Sequence, residues 1–212
     1  MPVEKLRDDV TGVILSGGKS SRMGVNKSLL LIDNIPLIQI IYERMKKVFS
    51  RIIISTNEPE LYDFLDAGKV EDTYKGFGPL GGIHSSLSFS RTERIFVVSA
   101  DMPFLLPDLF RFLLDVKSEE EIVVPGAENR IQFLCGIYGR RLIPIAESIL
   151  SASREAIVNN KELIRSSLSL WNFAERTGFT VVDVSEKIFY MKDLFFNINT
   201  PEDFEYVKER LI

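Results

Sequence analysis

Residues 12–27 read GVILSGGKSSRMGVNK, an apolar run that ends in two adjacent glycines and then three cations, Lys19, Arg22 and Lys27. Gly17 and Gly18 let a ligand come close to the backbone. Successive N–H groups in such a turn form a concavity that suits phosphate oxygens. The segment is not a Walker A loop, which needs glycine, four residues, then Gly-Lys-Ser or Gly-Lys-Thr. Counting back from Gly18-Lys19-Ser20 puts the first glycine at position 13, which is Val13; Gly12 is one residue too far. Nor does the spacing of Gly17, Gly18 and Gly24 match the G-x-G-x-x-G of dinucleotide-binding folds. The stretch is therefore either a solvated basic turn or a longer basic loop that holds phosphate by another geometry.

Other residues could join it. Asp101, in Ala100-Asp101-Met102-Pro103, follows an apolar strand candidate. It is either a turn residue before proline or a Mg²⁺ ligand, since magnesium is usually held by one or two carboxylates plus substrate phosphates. Asp72 precedes a loop, Gly76-Phe77-Gly78-Pro79-Leu80-Gly81-Gly82, too rich in glycine to be the interior of an element. Its carboxylate could accept from a base with adjacent N–H donors, as guanine offers at N1 and N2, or the whole segment could be plain surface loop. Asn197 and Asn199 alternate on a short extended stretch with their side chains on one face. They read as structural polar residues or as contacts to a phosphate or a second substrate. Thr200-Pro201-Glu202-Asp203 reads as a helix start, with Thr200 the N-cap and Pro201 the first helical residue. The single histidine, His84, falls in a predicted helix and reads as a core residue.

The elements that must position these residues alternate in type. Strands are expected at 10–15, 51–56, 94–99, 121–125, 131–138 and 179–184, where Val and Ile runs are short. Helices are expected at 36–49, 58–65, 81–90, 107–116, 141–150 and 154–170. Such alternation, with strands apolar almost throughout, implies an α/β fold, a three-layer α/β/α Rossmann-like arrangement on a mainly parallel sheet. Ligands in such sheets sit beyond the carboxyl ends of the strands, where the residues above fall. No repeat, low-complexity tract or linker interrupts the chain, so residues 1–212 are expected to form one domain.

Composition narrows the classes. The 212 residues are 45% hydrophobic and 26% charged, values ordinary for a globular protein with a substantial core. A net charge of −4 lacks the basic face of a duplex-binding protein, so no nucleic-acid partner is expected. One cysteine, Cys135, excludes a disulfide within the chain and a Cys-rich metal site. No apolar run approaches the roughly 20 residues that span a bilayer. No membrane association and a cytoplasmic location are expected.

Taken in order, these segments resemble the nucleotide-diphospho-sugar transferase superfamily, and within it the molybdenum cofactor guanylyltransferase family. Residues 15–27 are similar to that family's L-A-G-G-x-S-x-R-M-G-x-D-K, and 78–83 to its G-P-L-x-G-[ILM]. Residues 100–104 resemble its C-D-x-P-[FY], and 197–203 its N-[VI]-N-T-P-E-[DE]. The resemblance runs end to end and is weakest from about 140 to 180. It implies GTP contacts from Leu15, Ser16, Gly17, Gly18, Lys27, Asp72, Pro79, Leu80 and Asp101, with Asp72 reading guanine. It implies Mg²⁺ on Asp101, catalytic roles for Arg22, Lys27 and Asp101, and Asn197 and Asn199 near the metal or the pterin substrate. Three positions depart from the pattern: Asn26 replaces the motif aspartate, Ser16 the motif alanine, and Ser55 a frequent asparagine, with Asn57 two residues further on.

The implied reaction passes GMP from GTP to molybdenum-bearing molybdopterin and releases pyrophosphate, with molybdoenzyme apoproteins or their chaperones as takers of the product. The nucleophile, a phosphomonoester with a second pKa near ~6, is mostly dianionic at neutral pH and needs no base. Charge is the obstacle, since two unit charges ~4 Å apart repel by about 4 kcal/mol at an effective dielectric near 20. Catalysis must then come from position and electrostatics. The competing expectations are a CTP-dependent molybdopterin cytidylyltransferase, a sugar-phosphate nucleotidyltransferase, and a GTP-binding protein without catalysis.

Overall fold

The structure, a computed structural model, describes residues 5–17, 26–159 and 168–211. Gly18 and Arg22, together with the middle of the basic loop, lie outside the described residues, as do residues 160–167 of the helix expected at 154–170.

The chain opens with β1 (Val10–Leu15), a hairpin of β2 (Leu31–Ile32) and β3 (Ile35–Pro36), and α1 (Leu37–Met45). It continues through β4 (Ile52–Ser55), β5 (Gly68–Val70), α2 (Pro79–Phe89), β6 (Arg94–Ser99) and α3 (Pro107–Leu114). Then come β7 (Ile122–Ala127), β8 (Arg130–Ile131), β9 (Cys135–Gly139), α4 (Ile143–Val158), α5 (Leu170–Thr177), β10 (Thr180–Asp183) and α6 (Pro201–Leu211). Eight strands form one sheet in the order β10-β7-β9-β6-β1-β4-β5, with β8 on β7. Pairing is parallel except where β9 runs antiparallel between β6 and β7, and where β8 meets β7.

Alternate strand residues feed two cores. Ile14, Ile54, Phe96, Val98 and Ile137 face α1, α3 and α6. Val13, Ile53, Ile95, Val97 and Tyr138 face α2, α4 and α5. Period-2 alternation with apolar residues on both faces is what a sheet covered on both sides requires. The three-layer α/β/α expectation holds.

Several elements differ from the sequence reading. The expected strand at 131–138 is broken, because Cys135 N–H turns back onto the Gln132 carbonyl at 3.1 Å and β9 starts only there. The helices expected at 141–150 and 154–170 are joined across Ser151–Ser153 in α4. That join holds because the Ser151 hydroxyl meets the Tyr74 hydroxyl at 2.7 Å and Ser153 is small enough to be buried. The segment at 36–49 yields helix only to Met45; its front is the hairpin, whose Asp33 and Asn34 both take positive φ, as a tight two-residue turn demands. Three-residue β5 carries no apolar run and was not expected. In α5 the buried ring is Phe173, and Trp171 is 46% exposed against Phe133 and Phe179.

Reversing β9 between two parallel neighbours brings backbones close at Gly136, where an added Cβ would stand 2.6 Å from the Val123 carbonyl oxygen. Gly136→Ala is expected to cost about 1–3 kcal/mol, the range for overpacked interiors. A chemical denaturation midpoint equal to that of the wild type would refute this account of the sheet.

Candidate active site

Four loops leave the sheet from a single row. Leu15 pairs with Ser55 on one side and Ser99 on the other, and Ser55 pairs with Val70. The residues beyond them, Ser16-Gly17, Thr56-Asn57, Glu71-Asp72 and Ala100-Asp101, therefore emerge together at the carboxyl edge of the parallel strands. The ladder continues past the row, with Ser16 N–H on the Ser55 carbonyl at 2.9 Å and Ala100 N–H on the Leu15 carbonyl at 3.0 Å. Leu15 is nearly buried, and a Cβ added at Gly17 would meet nothing within 4 Å among the described residues.

Asp72 is held on both carboxylate oxygens. Asn57 Nδ2 donates to Oδ2 at 3.1 Å and Ser55 Oγ to Oδ1 at 3.5 Å, while Asn57 Oδ1 accepts the Asp72 N–H at 3.1 Å. Burial pushes the Asp72 carboxyl above its ordinary range, against the pull of the Asn57 and Ser55 donors and of Lys75. The start of α2 lies against it. Gly78 turns the chain with φ +68 and Pro79 opens the helix. Side chains at the next two glycines would collide: a Cβ at Gly81 lies 2.9 Å from the Tyr74 carbonyl, and one at Gly82 lies 2.9 Å from Ser55 Oγ and 3.0 Å from Leu15. The glycines thus bring the positive end of the helix up to the acid. Pro79 is exposed, whereas the Leu80 side chain is wholly in the core.

Lys27 and Asp101 meet at the tail. The Lys27 ammonium donates to the Ile198 carbonyl at 3.0 Å, and the Ile198 N–H donates to the Asp101 carbonyl at 3.0 Å. Buried Ile198 pins the strip, and its neighbours alternate outward, with Asn197 half-buried and Asn199 exposed. Both asparagines also have local partners, Asn197 Nδ2 to the Phe195 carbonyl and Asn199 Nδ2 to the Asn197 carbonyl. The Asp101 carboxylate accepts from Ser99 Oγ at 2.5 Å. Beyond the strip, Thr200 and Asp203 cap α6 reciprocally: Thr200 Oγ1 accepts Asp203 N–H at 3.2 Å, and Asp203 Oδ2 accepts Thr200 N–H at 2.9 Å.

The structure thus brings Leu15, Ser16, Gly17, Lys27, Asp72, Asp101, Asn197 and Asn199 to one edge. Asn57, noted in the sequence two residues after Ser55, holds Asp72 through two hydrogen bonds, whereas Tyr62, whose hydroxyl meets Ser16 Oγ and Asn26 Nδ2, escaped the motif reading. Tyr62, with its aromatic ring and no motif around it, reads from sequence only as core. His84, buried in α2 edge-on to Tyr74, is kept toward its neutral form by burial.

A mostly parallel sheet with its polar loops at the carboxyl edge is a ligand-binding architecture of open α/β folds. The fold matches the structure of molybdopterin-guanine dinucleotide biosynthesis protein A from Archaeoglobus fulgidus, with a TM-score of 0.74 at 23% identity over 95% of this chain and 98% of that one. It also matches 4-diphosphocytidyl-2C-methyl-D-erythritol synthase from Anaerococcus prevotii, at 0.66 and 13% over 95% of each chain. Residues 12–168 match the MobA-like NTP transferase domain, and the chain belongs to that family. Among its relatives, a Clostridium perfringens protein named "Probable molybdenum cofactor guanylyltransferase" is 34% identical over 92% of this chain and 94% of its own. A Pelotomaculum thermopropionicum protein of the same name is 32% identical over 95% and 92%.

Because the Asn57 donor opposes the effect of burial, Asn57→Ala should raise the Asp72 carboxyl pKa further. A ¹³C-detected carboxyl titration reads this directly, and a pKa that stays put or falls would show that Asn57 does not support the charge.

Proposed function

We propose that the protein transfers GMP from GTP to the terminal phosphate of molybdenum-bearing molybdopterin. An acceptor phosphate oxygen attacks the α-phosphorus, the new P–O–P link forms as the α–β bridge breaks, and the electron pair leaves with pyrophosphate. The observation that carries this reading is the convergence of Lys27, Asp72 and Asp101 on one sheet edge within a chain of this family. The names borne by its relatives supply the acceptor and the base.

Each residue then has a task. Leu15, Ser16 and Gly17, with Pro79 and the backbone at Leu80, form a neutral wall against the nucleotide; Gly18 and Arg22, to which the family motif gives a GTP contact and a catalytic role, lie outside the described residues. Lys27 attracts the phosphates while its ammonium rests on a neutral carbonyl. Asp72 accepts from guanine N1–H and N2–H. Asn197 and Asn199 offer amide groups on the acceptor side. The donor set fits Mg²⁺, because Asp101 supplies one strand-end carboxylate and magnesium completes its shell with phosphate and water. No group of three acids, histidines or cysteines able to hold a metal by itself occurs among the described residues. When bound, the ion supplies positive charge against the phosphoryl oxygens. The whole chain acts as one unit in the cytoplasm. Among the described residues no helix is long and apolar enough to cross a membrane.

Pyrophosphate release from Mg²⁺, GTP and molybdenum-loaded molybdopterin tests the reaction. Lys27→Ala and Asp101→Ala should each lower turnover at least ~10-fold with the fold intact, and an unchanged initial rate removes the role given to that residue. Asp72→Ala should erode the preference for GTP over CTP. In the parent protein that preference should fade with acid at a pH above the ordinary carboxylate range, because protonation removes the acceptor and burial raises the pKa. Discrimination that is flat with pH and survives Asp72→Ala would exclude Asp72 from base reading.

A further inference from the structure

Tyr62 closes the short 3₁₀ turn Pro59–Tyr62 that follows β4, and it is wholly buried. Its hydroxyl nevertheless has three polar neighbours: Ser16 Oγ at 2.8 Å, Asn26 Nδ2 at 2.9 Å and Ser28 Oγ at 2.9 Å. The proton count closes. Ser28 Oγ donates to Asn26 Oδ1 at 2.7 Å, so the Tyr62 hydroxyl donates to Ser28. Its two lone pairs then accept from Asn26 Nδ2 and Ser16 Oγ, which fills the capacity of a phenol. Asn26 Oδ1 also accepts the Ser28 N–H at 3.1 Å, which caps the turn Lys27–Leu29. One buried oxygen therefore ties the first residue beyond β1 to the residue that precedes Lys27.

The two tied residues are two of those at which this chain departs from the motif it resembles. Alanine at position 16 would offer no hydroxyl, and aspartate at position 26 would offer no donor. We infer that the Tyr62 hydroxyl is a positioning group that fixes Lys27 against the Gly17 end of β1, and that Ser16 and Asn26 form a matched pair serving it. The functional half of this inference rests on the nucleotide reading above.

Tyr62→Phe removes only the oxygen. A second buried tyrosine gives a control, since the Tyr42 hydroxyl donates to the Asp66 carbonyl at 2.6 Å instead. Both Tyr62→Phe and Tyr42→Phe should lower the melting temperature, as the loss of a buried hydrogen bond does. Only Tyr62→Phe should weaken GTP binding in the presence of Mg²⁺, by about tenfold in calorimetry, as misplacement of a phosphate-binding cation predicts. Without nucleotide, Ser16→Ala should lower the melting temperature less in a Tyr62→Phe background than alone, because the shared bond is already gone. Wild-type affinity for GTP in Tyr62→Phe would overturn the positioning role, and strictly additive melting shifts would overturn the tie. A wild-type protein that binds no GTP would instead overturn the nucleotide reading, and the melting shifts would still decide the tie.

Discussion

If the site takes a triphosphate and Mg²⁺, as proposed, it must hold opposite charges close together without letting them cancel. Ile198 meets this constraint with a neutral peptide. Its carbonyl takes the Lys27 ammonium and its N–H is given to the Asp101 backbone, so the tail joins the two loops while the lysine rests on an uncharged oxygen. A direct Lys27–Asp101 ion pair would bring the same loops together but spend both charges on each other. The arrangement depends on the tail staying in place. Buried Ile198 and the reciprocal Thr200–Asp203 cap secure it, and α6 packs Val207 into the same core that receives β1.

The opposite wall is built from absence of side chains. Gly81 and Gly82 let α2 approach until the Tyr74 carbonyl, Ser55 Oγ and Leu15 stand too close to admit Cβ atoms, with the Asp72 carboxylate just beyond them. Burying a carboxylate there is costly, which is why its pKa rises, and Asn57 and Ser55 offset part of that cost through donors to both oxygens. The helix start adds positive potential from the other side. Glycine at these positions therefore serves close approach, whereas Gly78 serves its left-handed turn.

The layers were legible because strand apolarity and helical periodicity are local signals, and β1, β6 and α2 followed them closely. What failed was decided by partners distant in sequence. The break before β9 depends on Gln132 and Cys135 turning toward each other. The continuity of α4 depends on Tyr74 accommodating Ser151. β5 exists because β4 offers it an edge. In the site, Lys27 stood out as a cation of a glycine-bearing loop, Asp101 as a charge just after an apolar strand, and Asp72 as an acid before a glycine-rich loop. Asn57 was legible as a stand-in for the motif asparagine, but its bonds to Asp72 required knowing that the acid lies across from it. Tyr62 was invisible because a buried ring with a useful hydroxyl has the same one-letter code as any core tyrosine.

The choice of base follows from the site and not from the fold. The sheet is shared with an enzyme whose name specifies a cytidyl product, at a TM-score of 0.66, so nothing in the layers selects guanine. Under the proposed reading the selection falls to the half-buried Asp72, in its carboxylate form. Guanine turns two N–H donors toward it, whereas cytosine would turn its N3 and O2 acceptors. The penalty for the wrong base is then more than a missing bond. A desolvated carboxylate facing an acceptor loses its water without gaining a partner, a cost of about 1–3 kcal/mol or more for a charged group. Burial of Asp72, which costs the free protein something, is on this argument what makes the discrimination sharp.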